Sequence, residues 1–290
     1  MASQSRLDIR KTYKLYIGGA FPRTESGRFY PVYSAGGETL LANASRGSRK
    51  DVRNAVAAAR KAFPGWSEKT AYNRGQILYR MAEMCESRAS ELHSELEAVG
   101  ARRAVAQREV EATVDRLVYY AGWSDKFAQI FGTVNPVAGP YYNFSTPEPT
   151  GVVGIVAPEE SALLGLVSRI APAIVGGNTV VVLTSEKHPL PAITFAEIIA
   201  TSDVPGGVVN LISGFRDELS PWLAAHMDVN AIDVTGLDKV LAAKAAALAA
   251  DNVKRVVRAE TDDWSSAGAQ SPYAILDFLE IKTVWHPMGI

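Results

Sequence analysis

Few side chains in this sequence combine reactive chemistry with a position from which to use it. The single cysteine, Cys85, is the one candidate thiolate nucleophile. A thiolate must reach its electrophile within bonding geometry and beside an activating group. Cys85 instead falls mid-helix at an inward-facing position, where a thiol acts as a small apolar group. The four histidines, His93, His188, His226 and His286, share no ligand spacing, so no metal is expected. The carboxylates are more informative. Glu159 and Glu160 follow one β-branched run, Ser185 and Glu186 follow a second, and Thr235-Gly236 and Glu260 follow two more. A carboxylate in such a place can accept ribose hydroxyls, act as a general base, or cap the helix that follows. Helix N-termini are also where anions bind. A carboxylate ~5 Å from a phosphate costs on the order of 3 kcal/mol at an effective dielectric near 20, which is roughly a hundredfold in affinity. Glu159 and Glu160 are therefore read as first-turn acids that cap a helix and repel phosphate.

The stretch from Pro149 to Glu186 positions most of these groups. Val152-Val153-Gly154-Ile155-Val156 reads as a strand and Pro158 as a turn. An apolar helix through Ile170-Ala171-Pro172-Ala173 follows, then a Gly176-Gly177 stop and a second strand, Thr179 to Val182. Both strands are continuous apolar runs, as parallel strands buried on two faces are. Such a unit is a right-handed crossover with its ligand crevice at the carboxyl ends of the strands. Val208–Ile212, Ala231–Val234 and Val253–Arg258 supply three more strands. Pro191–Ser202 (read as amphipathic), Asp217–Met227 and the alanine-rich Asp238–Ala250 supply helices. The fold class is α/β: a doubly wound parallel, Rossmann-like sheet over 149–260.

Residues 1–131 read as an N-terminal region of strands and helices. Leu15–Ile17 and Phe29–Val32 are strands. Ser48 with Asp51 makes a capping box that starts a helix stopped by Pro64-Gly65. Further helices begin at Thr70 and Ser90, and one runs from Ala104 to Ile130. Residues 132–148, rich in aromatics, Pro, Gly and Asn, form a hairpin. The small polar residues of 261–274 read as a linker, and Ile275–Trp285 as a final strand within 275–290. Net charge is −1 at pH 7, which argues against partners held by charge, whether nucleic acid or anionic membrane. The polar start from Met1 to Lys11 and the absence of a spanning apolar run give a cytoplasmic, soluble expectation.

Pro149-Thr150-Gly151-Val152-Val153-Gly154, then Pro172-Ala173, then Gly177-Asn178-Thr179-Val180-Val181, then Ser185-Glu186 resembles the coenzyme-binding domain of the aldehyde dehydrogenase superfamily. Tyr16 to Gly19, Asp51, Ala62-Phe63 and Trp66 resemble that family's N-terminal region, so the likeness covers most of the chain. It implies NAD(P)-dependent aldehyde oxidation through a cysteine, an oxyanion-holding asparagine and a glutamate base. It also implies oligomerisation through the hairpin and a closing Glu-aliphatic-Lys-Thr-Val strand, here Glu280–Val284. The scaffold residues match while the working ones differ. The family's P-W-N ends its first strand, and Pro158-Glu159-Glu160 stands there; Glu160 in the asparagine's place offers acceptors where donors are needed. In K-P-S-E the lysine is replaced by Leu183, while Ser185 and Glu186 remain. In F-T-G-S, Thr235 and Gly236 remain and Leu237 replaces the serine. Leu241 stands where a following glycine admits phosphate. Glu260 meets the base position only with a one-residue shift. The large catalytic domain that the family carries before its closing strand is missing, since about twenty residues join the two here.

The resemblance with these departures points to a pseudoenzyme subunit, inactive alone. It would dock through 132–148 and 275–290 onto a full-length aldehyde dehydrogenase subunit or another copy of itself. No tightly bound cofactor is expected, NAD binding at most weakly. Two rival readings are a weak NAD-binding sensor resting on Glu186 and a subunit completing an active site in trans through Glu260.

Overall fold

The computed structural model describes residues 10–289; the rest of the polar opening segment, 1–9, and Ile290 lie outside the described residues. The chain opens with a small three-stranded sheet of β1 (Thr12–Tyr13), β2 (Phe29–Tyr33) and β3 (Leu40–Ser45). The strand expected at Leu15–Ile17 does not form. Gly18 and Gly19 take φ of 64° and 84° and turn the chain away. Tyr16 instead makes one antiparallel bridge to Leu211, with N–H···O distances of 3.0 and 2.8 Å. β3 alternates only briefly, with Ala42 and Ala44 buried on either side of Asn43, before Ser45 is buried as well.

Four long helices follow: α1 (Arg49–Ser67), α2 (Ala71–Ser87), α3 (Ala89–Ala98) and α4 (Arg103–Trp123). The capping box at Ser48 and Asp51 starts α1, but Pro64 does not stop it. Pro64 lacks the N–H that would bond the carbonyl four residues earlier, a loss that the burial gained in the following turn offsets. The extra turn buries Trp66, whose indole N–H donates to the Ile174 carbonyl at 2.9 Å. The helix read over 104–130 is broken at Ser124–Lys126 into α4 and the short α5 (Phe127–Phe131). Gly75 of α2 lets Ser124 approach so closely that an added Cβ would lie 2.3 Å from its hydroxyl.

β4 (Thr133–Asn135) and β5 (Tyr141–Pro149) form the hairpin. The parallel unit comprises β6 (Val152–Val156), α6 (Leu164–Val175), β7 (Thr179–Leu183), α7 (Leu190–Ala200), β8 (Val209–Ile212), α8 (Arg216–Ala225), β9 (Ala231–Asp233), α9 (Lys239–Ala249) and β10 (Arg255–Val257). Its strand order is β10-β9-β6-β7-β8, every pair parallel. Side chains alternate between two cores. Val153, Ile155, Val180 and Val182 face the core that contains α2, α4, α6 and α7 residues, while Val152, Val156, Val181 and Leu183 face residues of α1, α8 and α9. Both faces being covered explains the unbroken apolar runs. It also explains α7, which is buried almost all round rather than amphipathic, with only Glu197 and Ala200 short of full burial.

Residues 261–274 are not a loose linker. Trp264 is buried, and the buried guanidinium of Arg116 from α4 donates to the carbonyls of Trp264 (2.9 Å) and Ala269 (2.8 Å), to the Gln270 side chain and to Ser168. Ile275 and Leu276, expected in a strand, belong to the short helix α10 (Tyr273–Leu276). The final strand β11 (Leu279–Pro287) pairs antiparallel with β5 over its full length, Leu279 opposite Pro149 through Pro287 opposite Tyr141. It is thus a partnered strand with one free edge among the described residues. Ile281, Trp285 and Tyr141 share one face of this ribbon, Val134 and Tyr142 the other, and all five are exposed. No helix among the described residues is long and apolar enough to cross a membrane.

Candidate functional site

The carboxyl ends of β6, β7 and β9 converge on one crevice, and three helices aim their N-termini at it. An α-helix begins with four backbone N–H groups that lack intrahelical acceptors, and here the chain's own carboxylates supply acceptors at all three helices. At α6, Glu109 of α4 reaches across: one carboxylate oxygen accepts from the N–H of Leu163 (3.3 Å) and Leu164 (3.1 Å) and from the Ser161 hydroxyl (3.2 Å). Ser161 in turn accepts from Gly165 N–H at 2.9 Å. At α8, Glu186 accepts from Arg216 N–H at 3.1 Å and Asp217 from Glu218 N–H at 2.8 Å. At α9, Asp238 accepts from Val240 and Leu241 N–H at 2.8 and 2.9 Å. Charge and dipole agree at each end.

Glu159 and Arg216 lace the crevice across its middle. Glu159 accepts from the Ser185 hydroxyl (3.0 Å) and the Lys187 N–H (2.6 Å), and forms an ion pair with the Arg216 guanidinium at 2.6 Å. Arg216 also donates to the carbonyls of Gly236 and Ala157, each at 2.6 Å. Gly236 is needed for this approach, since a Cβ there would sit 2.0 Å from the Ala157 oxygen. Arg216 is 8 % exposed, and burial is the main reason its guanidinium is held below its ordinary pKa. Glu160, by contrast, stands in solvent beside Lys187 at 3.0 Å; that hydrogen-bonded ammonium keeps its carboxyl below the usual range.

Two readings of the acids therefore change. Glu159 and Glu160 do not cap the first turn of α6, which starts at Leu164 and carries no acid there. Glu159's charge is not free to oppose a phosphate in full, because Arg216 lies against it. Of the other sequence-selected residues, Ser185, Glu186, Thr235, Gly236, Leu237 and Leu241 gather around the crevice. Leu183 does not: it is 2 % exposed and belongs to the core beneath. Thr235 turns its hydroxyl to Asp233 at 2.5 Å and accepts from Ala259 N–H. Glu260 is exposed on a separate cavity with Arg169, Arg258 and Asp277. Cys85 is fully buried in the helical core and its thiol is pushed up to about 12, chiefly by burial, so no thiolate is available there. Among the described residues no group of three or more His, Cys, Asp or Glu side chains can hold a metal ion.

Glu109, Arg216, Asp217 and Asp238 were not singled out in the sequence. Asp238 had a legible signal, an acid directly before an alanine-rich helix. Glu109 had none, because its role depends on how α4 packs over α6. Open space remains beside the lacing: one cavity of about 750 Å³ bounded by Glu109, Pro158, Leu237 and Trp264, and another of about 660 Å³ between Glu186, Phe215, Asp238 and Leu241.

Residues 21–284 match the profile described as the aldehyde dehydrogenase family. "Aldehyde dehydrogenase, cytosolic 1" of Elephantulus edwardii is 33% identical over 261 residues, covering 88% of this chain and 51% of the relative. "Retinal dehydrogenase 2" of Gallus gallus is 34% identical over 256 residues, covering 86% of this chain and 48% of the relative. The solved NAD+ complex of an aldehyde dehydrogenase from Bacillus cereus superposes with a TM-score of 0.81 at 29% identity, over 86% of this chain and 50% of that one. The chain thus spans about half the length of the relatives it matches.

Proposed function

This chain belongs to the aldehyde dehydrogenase family, and from that membership we propose that it is a non-catalytic subunit that docks onto a partner. What carries the reading is the set of carboxylates on the three helix N-termini of the crevice. Glu109, Glu186, Asp217 and Asp238 take donors that a dinucleotide's phosphates would need. These residues do not fit that cofactor, and NAD is expected to bind weakly at most. Glu160 supplies no oxyanion donor, and Cys85 is sealed in the core. The isolated chain should therefore show no NAD- or NADP-dependent oxidation of aldehydes, measured as absorbance of the reduced nicotinamide. Turnover that disappears in Cys85→Ser would contradict the reading.

The docking surface proposed is the ribbon of β4, β5 and β11. It exposes apolar side chains on both faces and leaves the nine-residue β11 with a free edge. An unbulged edge of that length invites another strand. The partner proposed is a full-length aldehyde dehydrogenase subunit, with a second copy of this chain as the alternative. Deleting the whole segment would be uninformative, because Ile275, Phe278 and Leu279 are core. Ile281 and Trp285, 48 % and 58 % exposed, can be changed without opening the core. Ile281→Lys with Trp285→Lys is expected to lower the assembly mass in light scattering and to lose the partner in pull-downs, with the melting temperature nearly unchanged. An unaltered mass and an unaltered partner set would remove β11 from the interface.

A further inference from the structure

Two buried donors at the crevice have no acceptor. One is Nε of Arg216, in a side chain 10 % exposed; the other is the hydroxyl of Tyr30 on β2. Tyr30 packs its ring on Phe215, the residue before Arg216, at 5.4 Å, and the carboxylates of Glu186 and Glu159 and the Arg216 guanidinium all act on its hydroxyl. Buried polar atoms are nearly always hydrogen-bonded, so the two orphans, one on Arg216 at the cavity wall and one on the Tyr30 that packs behind Phe215 of the same wall, call for an acceptor. Beside the carbonyls of Gly236 and Ala157, this guanidinium already holds one anionic acceptor, the Glu159 carboxylate at 2.6 Å.

We propose that Arg216 and Tyr30 form a receptor for a small oxyanion, such as a phosphate, and that Glu159 is its built-in competitor. The proposal rests on the crevice being closed to dinucleotides, and it adds what closes it. Glu159 fills the anion's place on Arg216 while its other contacts, to Ser185 and Lys187, tether it there. Glu186, which accepts the Arg216 N–H, and Asp238 at the head of α9 keep the surroundings acidic. An external anion is therefore taken up only when the charge of Glu159 is removed or displaced. A guanidinium freed of its partner presents a fork of donors suited to phosphate oxygens.

The test is calorimetric titration of the full chain with inorganic phosphate at low ionic strength. Glu159→Gln should bind at least about tenfold more tightly than the wild-type chain. Ser185→Ala, which loosens the tether and keeps every charge, should gain in the same direction by less. In Glu159→Gln with Tyr30→Phe the gain should shrink, and Tyr30→Phe removes no hydrogen bond from the fold. The Arg216 Nε–H resonance should move on adding phosphate to Glu159→Gln. Absence of tightening in both single variants overturns the proposal, as does a gain that leaves the Arg216 resonance unmoved. Wild-type affinity for NAD is a separate measurement, so a failure here is distinguishable from a failure of the reading on which it rests.

Discussion

Asp233→Ala is expected to lower the unfolding free energy by about 3–5 kcal/mol, the range for removing one member of a buried ion pair. Asp233 at the end of β9 is fully buried, and its carboxylate accepts from Arg169 Nε of α6, whose side chain is 4 % exposed. The same carboxylate accepts from Thr235 N–H at 2.9 Å and from its hydroxyl, so it also shapes the turn leading to Gly236. Without it Arg169 keeps only Asp277 at 3.6 Å and the face of Phe278, with the guanidinium 5.2 Å from the ring centroid. The large effect comes from stranding a charge, not from net strength of the pair. Asp233→Leu with Arg169→Met should accordingly recover most of the loss. Urea denaturation of the two variants checks this; a loss under about 1 kcal/mol for Asp233→Ala, within the range of an exposed pair, would show the pair to be poorly desolvated.

The parallel sheet was legible because burial on two faces leaves a sequence mark: Val152–Val156 and Thr179–Leu183 are apolar without alternation, and Gly-rich stops bound them. Local chemistry gave the start of α1 through Ser48 and Asp51, and the hairpin before β6. What stayed hidden depends on distant packing. Pro64 looks like a stop until Trp66 is seen to dock on α6. Residues 261–274 look like a linker until Arg116, some 150 positions earlier in sequence, is seen to hold Trp264 and Ala269 by their carbonyls. The crevice divides in the same way. The departures at Glu159, Glu160, Leu237 and Leu241 were visible as residue types, but Glu109 on the α6 terminus and Arg216 against Glu159 join segments 50 or more residues apart. Leu183 was legible only as a residue type in the lysine's place of K-P-S-E; strand alternation turns it into the core with Val181.

The second large effect concerns the cofactor that bound relatives carry. A pyrophosphate gains most of its affinity from unpaired helix-terminal donors and nearby positive charge. Here the donors at α6, α8 and α9 are bonded to carboxylates, and Arg216 is bonded to Glu159. Entry would require breaking these bonds and bringing phosphates beside acids, at roughly a hundredfold in affinity for each carboxylate fully felt. Calorimetric titration of NAD into the purified wild-type chain tests this account most directly. The predicted result is a dissociation constant no tighter than about 1 mM, while one near 1 µM would mean that the carboxylates yield to the cofactor and would contradict the account.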